Sequence, residues 1–194
     1  MADDRIGLKQ VVDGHHLDET LNYQLVSLSN KLSLTVARRA LAEEGVTLRE
    51  WRVLVVLLIY GPSIARRISD VALLDPAHVS RTVHQMKKRG VVRFRPNEDD
   101  RRQIIVELTE KGDALARQIL PRAVAVNDAF RELYAPDEYR LLVDLLARAN
   151  AFADQLLDAE DMPLDAAEAP RPNEVRPAAP YQPQGGEDAQ QAGD

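Results

Sequence analysis

The apolar pattern of the chain changes its period at Gly90. In the preceding segment, 76–89, the core-type residues recur every three or four positions, which is the spacing of one helix face. Over 91–95 apolar and charged residues alternate, and the alternation resumes over 104–108, which indicates two β-strands. The intervening residues 96–103 are all polar or proline, which favours a turn. The pattern therefore predicts a helix followed directly by a β-hairpin whose loop carries arginine.

Helical patterns also occupy the chain before this segment. An apolar stripe with steps of three and four runs over 17–40, and Gly45 ends it. Thr47 and Glu50 form the T-x-x-E signature of a capping box, which predicts the start of a second helix. A shorter helix is expected over 64–73. A stripe as long as the first one predicts burial in a bundle or at a contact between two copies of the chain.

Two long helical patterns follow the hairpin, the first from Thr109 and the second from Ala135. The first contains Pro121, which lacks an N–H and clashes with the preceding turn, so we expect a kink or break near 117–121. The helical pattern ends at Asp158. The segment 158–194 is rich in proline, alanine, glutamine and acids, which predicts an acidic disordered tail.

Charge is unevenly distributed along the chain. The net charge is −6 at pH 7, but the segment 158–194 alone contains nine acids and two bases. The preceding residues therefore sum to +1, and within them the segment 76–103 contains eight bases and three acids. A short basic segment that coincides with a predicted helix and hairpin is typical of a nucleic-acid-binding surface.

Composition excludes several classes of protein. The chain has no cysteine, so a disulfide framework, a thiolate metal site and a thiol redox switch are excluded. Its longest apolar run, 53–60, is too short to cross a bilayer, so no membrane partner is expected. Residues 1–10 lack an apolar signal core, and we expect a cytoplasmic protein.

No catalytic or metal site is expected either. The four histidines, at positions 15, 16, 78 and 84, do not have the spacing of a metal site. We find no nucleophile paired with a base and no phosphate-binding loop, so the sequence predicts neither an enzyme nor a cofactor.

The order of the elements is helix, helix, short helix, helix, two-stranded hairpin, long helix, helix. Its middle part, 47–108, has the pattern of a winged helix-turn-helix. The major groove of B-DNA admits one α-helix, so a helix with a polar, basic outer face can reach base edges there. A hairpin tipped with arginine can reach phosphates or the adjacent minor groove. The expected fold class is mainly α with a small β-hairpin wing.

The chain resembles the MarR family of transcriptional regulators over about residues 15–157. The strongest similarity is in 100–112, which follows the family pattern of D-x-R, an alternating strand and L-T-x-x-G. Residues 51–54 (WRVL), 79–81 (VSR) and 88–92 (KRGVV) also match. The resemblance implies a homodimer that binds a pseudo-palindromic operator in double-stranded DNA and is often released by a small molecule. It implies long dimerisation helices in 1–46 and 109–157 that flank a DNA-binding domain over 47–108.

The resemblance also implies roles for individual residues. Arg102 is the wing arginine that enters the minor groove, next to Arg101, and Asp100 holds it by a charge-assisted bond. The outer face of the 76–89 helix meets the major groove with Ala77, His78, Ser80, Arg81 and His84. Basic residues at its edges meet phosphates, which gives affinity without sequence choice: Lys87, Lys88 and Arg95.

Simpler interpretations of these residues stay open at this point. Arg102 could form a surface ion pair with Asp99 or Asp100, and Asp100 could cap the loop rather than hold the arginine. The outer face of the 76–89 helix could simply be solvated. The acidic tail could lower non-specific DNA binding by repelling DNA, or it could be a tolerated extension.

Trp51 and Arg52 are candidates for an effector pocket. Family members bind effectors in the crevice between the dimerisation helices and the DNA-binding lobe, and the second helix lines it. A tryptophan beside an arginine suits a planar aromatic acid, because the ring packs on the indole and the guanidinium pairs with the carboxylate. The alternative is that Trp51, which lies on the apolar stripe of its helix, belongs to the core.

The sequence therefore predicts a ligand-responsive transcriptional regulator, most simply a repressor, released by an aromatic acid or its coenzyme A thioester. The alternative is an architectural or protein-interaction winged helix that reads no sequence and has no small-molecule effector. A sequence-specific footprint distinguishes the two.

Overall fold

The computed structural model describes residues 11–12 and 15–158. Six α-helices are found in this part of the chain: α1 (Leu21–Val36), α2 (Leu48–Tyr60), α3 (Ala65–Ala72), α4 (Pro76–Lys88), α5 (Glu110–Arg131) and α6 (Pro136–Asp158). The strands are β1 (Val11–Val12), β2 (His15–His16), β3 (Ser63–Ile64), β4 (Val92–Pro96) and β5 (Ile104–Leu108). The described residues are therefore mainly helical, with a small β wing, as the sequence predicts. The predicted tail beyond Asp158 lies outside the described residues.

The first helix is shorter than its apolar stripe. β1 and β2 pair antiparallel, and a short 3-10 turn, Leu17–Glu19, follows them. Thr20 then caps α1 by accepting a hydrogen bond from the Tyr23 N–H at 3.4 Å. After Val36 the chain continues as a π-helical turn (Ala37–Leu41) and a 3-10 turn (Ala42–Glu44) up to Gly45. The predicted end of this helical segment at Gly45 is confirmed. The apolar stripe, however, runs through a 3-10 turn, an α-helix and a π-helical turn, because in each of these forms residues three to five positions apart lie on the same face.

The predicted capping box at the start of α2 is confirmed. The Thr47 hydroxyl accepts from the Glu50 N–H at 3.2 Å, and the Glu50 carboxylate accepts from the Thr47 N–H at 2.8 Å. Two of the four N–H groups that a helix start leaves unpaired are satisfied in this way. Gly61 donates its N–H to the Leu57 carbonyl and ends the helix.

The wing is a three-stranded sheet rather than the predicted two-stranded hairpin. Its strand order is β3-β5-β4, and all neighbouring strands are antiparallel. Val106 of the central strand β5 pairs with Phe94 of β4 on one side and with Ser63 of β3 on the other. β3 has two residues, so it shows no alternation that a sequence pattern could reveal. Its pairing attaches the start of α3 to the wing.

Pro121 does not break its helix, so the prediction of a break near 117–121 is wrong. α5 runs without interruption from Glu110 to Arg131 with Pro121 inside it. A proline removes one i→i−4 hydrogen bond, and this 22-residue helix continues on both sides of it. Ile119 and Ala123, on either side of Pro121, are both buried and hold the helix to the core.

The described residues form two compact units, one ending at Asn127 and the other starting at Asp128. The core of the first unit contains residues from α2, α3, α4, the sheet and α5, and its largest fully buried side chains include Leu41, Leu54, Ile68, Met86 and Ile119. The second unit contains the end of α5 and all of α6. None of the helices described is both long and apolar enough to span a lipid bilayer.

Candidate nucleic-acid interface

The second helix of the helix-turn-helix, α4, starts at a well-formed cap. One oxygen of the Asp75 carboxylate accepts from the N–H groups of Ala77 at 2.9 Å and His78 at 3.1 Å. Pro76 occupies the first turn, where its missing N–H costs nothing. At the other end Gly90 has a φ of 69°, a left-handed conformation that suits the residue after a helix. Both ends follow from local sequence, as predicted.

α4 has one buried face and one exposed face. The buried side chains are Val79, Thr82, Val83 and Met86. Of the five residues predicted to meet the major groove, only His78 is half-buried. The other four are exposed: Ala77, Ser80, Arg81 and His84. Within residues 15–158, the Arg81 guanidinium has no carboxylate within ion-pair distance. The helix therefore presents an unpaired cation on the side away from the core.

Phe94 of β4 joins α4 to the wing. The His84 ring meets the Phe94 ring edge-on, with centroids 5.2 Å apart and planes at 86°. The Lys87 ammonium lies 4.5 Å from the centroid of the same ring, within cation–π range. A nitrogen of His84 also lies 2.7 Å from the Ser80 carbonyl oxygen. His84 and Lys87 therefore have partners inside the protein, which the alternation over 91–95 did not predict.

The wing loop is closed by Asp100. One carboxylate oxygen accepts from the Arg102 N–H at 3.0 Å, and the other accepts from the Gln103 side-chain amide at 3.0 Å. The Gln103 N–H also donates to the Asp100 carbonyl at 2.9 Å. Asp100 is thus a loop cap. The expected charge-assisted bond to the Arg102 side chain is not formed, because both carboxylate oxygens are directed to the loop instead.

The arginines of the wing fall into two groups. Arg93 and Arg95 both face Glu107 of β5, with guanidinium nitrogens 2.6 and 3.6 Å from its carboxylate. Arg101 and Arg102 are exposed on the loop and, in the described part of the chain, form no ion pair. Arg95 is therefore held over the sheet, whereas the two loop arginines are available to a partner.

A surface cavity of about 440 Å³ is lined by three of the predicted site residues, from α4 and the wing. Ser80 and His84 of α4, Phe94 of β4 and Arg102 of the wing loop all line it. Arg66, near the start of α3, lines it as well, and the sequence analysis did not single it out. The signal was available: an exposed arginine in the first turn of the first helix of a helix-turn-helix is placed to meet the DNA backbone.

The C-terminal end of α4 is held by residues from two other helices. The Arg89 guanidinium donates to the Glu50 carboxylate of α2 at 2.6 Å. From the start of α5, the Lys111 ammonium donates to the Arg89 carbonyl at 2.9 Å. The Thr109 hydroxyl lies 2.7 Å from the Gly90 carbonyl oxygen, to which it donates. These contacts include residues of the L-T-x-x-G segment.

Trp51 belongs to the core. Its side chain is 7% exposed and packs in the cluster of buried residues that fills the first unit. Arg52, the next residue, is half-buried. The core interpretation of Trp51 is therefore the one its burial favours, and the effector pocket around Arg52 stays a prediction.

Two guanidinium groups of α5 have perturbed titration. A hydrogen bond from Arg117 to the Asp113 carboxylate at 2.7 Å, with the attraction between their charges, raises the pKa of Arg117. A hydrogen bond to Glu44 raises the pKa of Arg122, which also pairs with Glu43. Both arginines stay charged at any physiological pH. The Arg122 pairs join α5 to the segment before α2, whereas the Arg117 pair lies within α5, and none of them involves α4.

Among residues 15–158, no three histidine or acidic side chains converge as a metal site would require. The surface formed by α4 and the wing combines an exposed helix face with exposed arginine side chains, which are long and flexible, at the tip of a hairpin. It is suited to contact a polyanion.

Comparisons with known proteins agree with this geometry. Residues 44–103, which contain the helix-turn-helix and most of the wing, match the model of the MarR family. The HTH-type transcriptional repressor NicR of Pseudomonas putida is 35% identical over 69 residues, which are 36% of this chain and 44% of NicR. The match therefore spans less than half the length of that relative.

Solved structures extend the similarity beyond the matched segment. A probable transcriptional regulator from Pseudomonas aeruginosa has a TM-score of 0.61 at 25% identity and covers 69% of this chain and 99% of its own. BpsR of Bordetella bronchiseptica has a TM-score of 0.63 at 21% identity and covers 75% of this chain and 99% of its own. The shared fold is that of a winged helix-turn-helix regulator. Over residues 44–103 the chain therefore matches the MarR family of transcriptional regulators.

Proposed function

We propose that this protein is a sequence-specific transcriptional repressor that acts as a homodimer on a pseudo-palindromic operator and is released by a small molecule. The observation that carries the proposal is the position of Arg81 and Arg102. Both are exposed and, within the described residues, unpaired, and they belong to the helix face and the wing loop that border one cavity.

The exposed face of α4 is the proposed reader of base edges. The helix α4 is 13 residues long and starts with a capped first turn, and its exposed face presents small and polar side chains before Arg81. Small residues at the N-terminal end of a helix let the backbone approach the groove closely, and an arginine there can contact guanine with two hydrogen bonds. Arg81 therefore supplies sequence choice, together with Ser80 and His78.

The wing loop is the proposed reader of the minor groove. Asp100 fixes the loop backbone next to Arg102, so the guanidinium extends from a defined position. Arginine is favoured in a narrow minor groove, where the electrostatic potential is most negative. Lys88 and Arg101, exposed at the edges of the surface, contribute phosphate contacts.

The exposed apolar residues of α1 support a homodimer. None of the side chains in α1 is buried, and its apolar stripe includes Leu21, at 63% exposed, Leu25 and Leu28. α6, considered by itself, also exposes large apolar residues, among them Leu141 and Leu157. Surfaces of this kind on a regulator are covered by a second copy. A two-fold dimer predicts half-sites about 10 bp apart from centre to centre.

An aromatic acid or its coenzyme A thioester is the proposed effector, with Arg52 as the partner of its carboxylate. In BpsR, to which this chain is similar in fold, DNA binding is regulated by 6-hydroxynicotinic acid. That compound is therefore a reasoned first probe, alongside a panel of aromatic acids and their thioesters. Trp51 is the only tryptophan of the chain, so its fluorescence reports binding next to Arg52.

The experiment starts by selecting duplexes from a random-sequence library with the full-length protein. Affinity for the selected duplex and for a scrambled duplex is then measured for Arg81→Ala and Arg102→Ala. Each lost base contact costs about 1–3 kcal/mol, so the affinity for the selected duplex is expected to fall about 5- to 150-fold.

Arg117→Ala is the matched control, because it removes the same charge from an exposed side chain that pairs with Asp113 on α5. It is expected to bind both duplexes as the wild type does. Equal binding of the selected duplex by both test variants would refute the site. Failure of the wild type to enrich any sequence would favour an architectural winged helix instead.

A further inference from the structure

The recognition helix α4 is fixed at the end that lies away from its base-reading residues. Its predicted readers, among them His78 and Arg81, occupy the first two turns. The contacts that hold its far end involve Arg89, the residue that directly follows α4.

Arg89 is joined to α2 through a carboxylate that cannot move freely. The Arg89 side chain is 41% exposed, whereas that of Glu50 is 7% exposed. One Glu50 oxygen accepts from Arg89 at 2.6 Å. The other accepts from the N–H and the hydroxyl of Thr47, at 2.8 and 3.0 Å. Because a buried carboxylate has to be paired and hydrogen-bonded, these three bonds fix one position for it and therefore for Arg89.

The backbone at the same end is held by residues at and just before the start of α5. The Lys111 ammonium donates to the Arg89 carbonyl at 2.9 Å, and the Thr109 hydroxyl donates to the Gly90 carbonyl at 2.7 Å. The Thr109 N–H donates to the Val91 carbonyl at 3.1 Å. Three consecutive carbonyl groups after α4 thus have partners in one short segment. We call Glu50, Thr109 and Lys111 the α4 clamp.

A small rotation at the clamp becomes a large displacement at the readers. α4 has 13 residues and is therefore about 20 Å long at 1.5 Å per residue. A tilt of about 3° around its C-terminal end moves its first turn by about 1 Å, which is enough to break a hydrogen bond to a base edge.

We propose that the α4 clamp sets the angle of the recognition helix, so that Glu50, Thr109 and Lys111 are positioning residues for sequence recognition that do not touch DNA themselves. The proposal rests on the proposed function, since it concerns how α4 reads an operator. It links α2, which carries Arg52, and the start of α5 to the recognition helix through direct side-chain contacts.

Two simpler roles have to be separated from this one. The clamp could only stabilise the fold, in which case breaking it would lower the melting temperature without changing which DNA the folded protein prefers. Alternatively, Arg89 could be a phosphate contact that Glu50 merely neutralises. Breaking the pair would then release Arg89 and raise the affinity for every duplex.

The test uses full-length Glu50→Gln and Lys111→Met. Glutamine still completes a capping box, so Glu50→Gln removes the ion pair and keeps the start of α2. Affinity is measured for the duplex selected by the wild type and for a scrambled duplex, over a series of salt concentrations and well below the melting temperature of each variant. Asp113→Asn is the control, because it breaks an exposed ion pair of α5 that does not involve α4.

The expected result for Glu50→Gln is an about tenfold lower ratio of selected to scrambled affinity, the equivalent of one lost base contact. The slope of log affinity against log salt should stay that of the wild type, because no phosphate contact is lost. Lys111→Met should lower the ratio in the same direction, and Asp113→Asn should leave it unchanged. Adding Arg89→Gln to Glu50→Gln should lower the ratio no further, since the pair is already broken.

Three results would overturn the inference. An unchanged ratio in Glu50→Gln and Lys111→Met would leave the clamp a stabilising feature only. A rise in affinity for both duplexes would make Arg89 a phosphate contact. If the wild type selects no duplex at all, the proposed function fails and this inference with it, whereas the first two results leave that function intact.

Discussion

Gly112 offers a sharp test of how closely α5 packs against the end of the recognition helix. It lies in the first turn of α5, in an ordinary helical conformation. A Cβ atom built on Gly112 would lie 2.0 Å from the carbonyl oxygen of Val91 and 3.3 Å from a methyl carbon of Leu108. Because a backbone oxygen cannot rotate away, Gly112→Ala has to move one of the two segments by at least about 1 Å.

The magnitude follows from what that movement disrupts. The Val91 oxygen accepts from the Thr109 N–H and is also 3.1 Å from the Thr109 hydroxyl. Weakening these contacts costs about 1–2 kcal/mol. Overpacking against the backbone adds about 1–3 kcal/mol. The higher helix propensity of alanine returns about 0.5–1 kcal/mol, so Gly112→Ala should destabilise the protein by about 1–4 kcal/mol.

The assay is urea denaturation at one fixed protein concentration, because a dimer would make stability depend on concentration. Ala114, two residues after Gly112, is exposed, so Ala114→Gly measures the difference in helix propensity between alanine and glycine by itself. It should cost about 0.5–1 kcal/mol. If Gly112→Ala is as stable as the wild type or more stable, the packing argument is refuted, because helix propensity alone would then decide the sign of the change in unfolding free energy.

Three further predictions concern the caps, the tail and the dimer. Asp75→Ala should cost about 1 kcal/mol in thermal or urea unfolding, with Asp75→Asn close to wild type, because only alanine removes the acceptor of two N–H groups at the start of α4. Deleting 159–194, which removes eight acids and two bases, should raise affinity for random-sequence DNA at low salt and have no effect at high salt; an unchanged affinity would leave the tail a tolerated extension. Leu25→Asp should shift sedimentation from dimer to monomer, with Asn30→Asp, an exposed change on the other side of α1, as its control.

Local structure was largely readable from the sequence. The change of period at Gly90, the T-x-x-E box of α2 and the Asp-Pro start of α4 each depend on residues within four positions of one another. Backbone hydrogen bonds of helices and caps span the same short distance, so the sequence pattern and the structure contain the same information. The exposed face of α4 followed from that periodicity.

Contacts between distant segments were not readable in this way. β3 was missed because two residues carry no period. The role of Asp100 was left open between a loop cap and a bond to the Arg102 side chain, because a loop carboxylate can reach either a side chain or the backbone. The contacts of the Phe94 ring with His84 and Lys87 were not predicted. In each of these cases, the choice depends on which groups packing brings together.

The sequence by itself determined the order of the helices and of the two hairpin strands, the helix caps and the basic segment that contains the candidate DNA-binding surface. Only the tertiary structure decided that Glu50 pairs with Arg89, 39 positions away, that Lys111 and Thr109 hold the same end of α4, and that Pro121 leaves α5 unbroken. The reason is physical: periodicity records which side of an element is buried, whereas partners across the core are set by how the buried sides fit together.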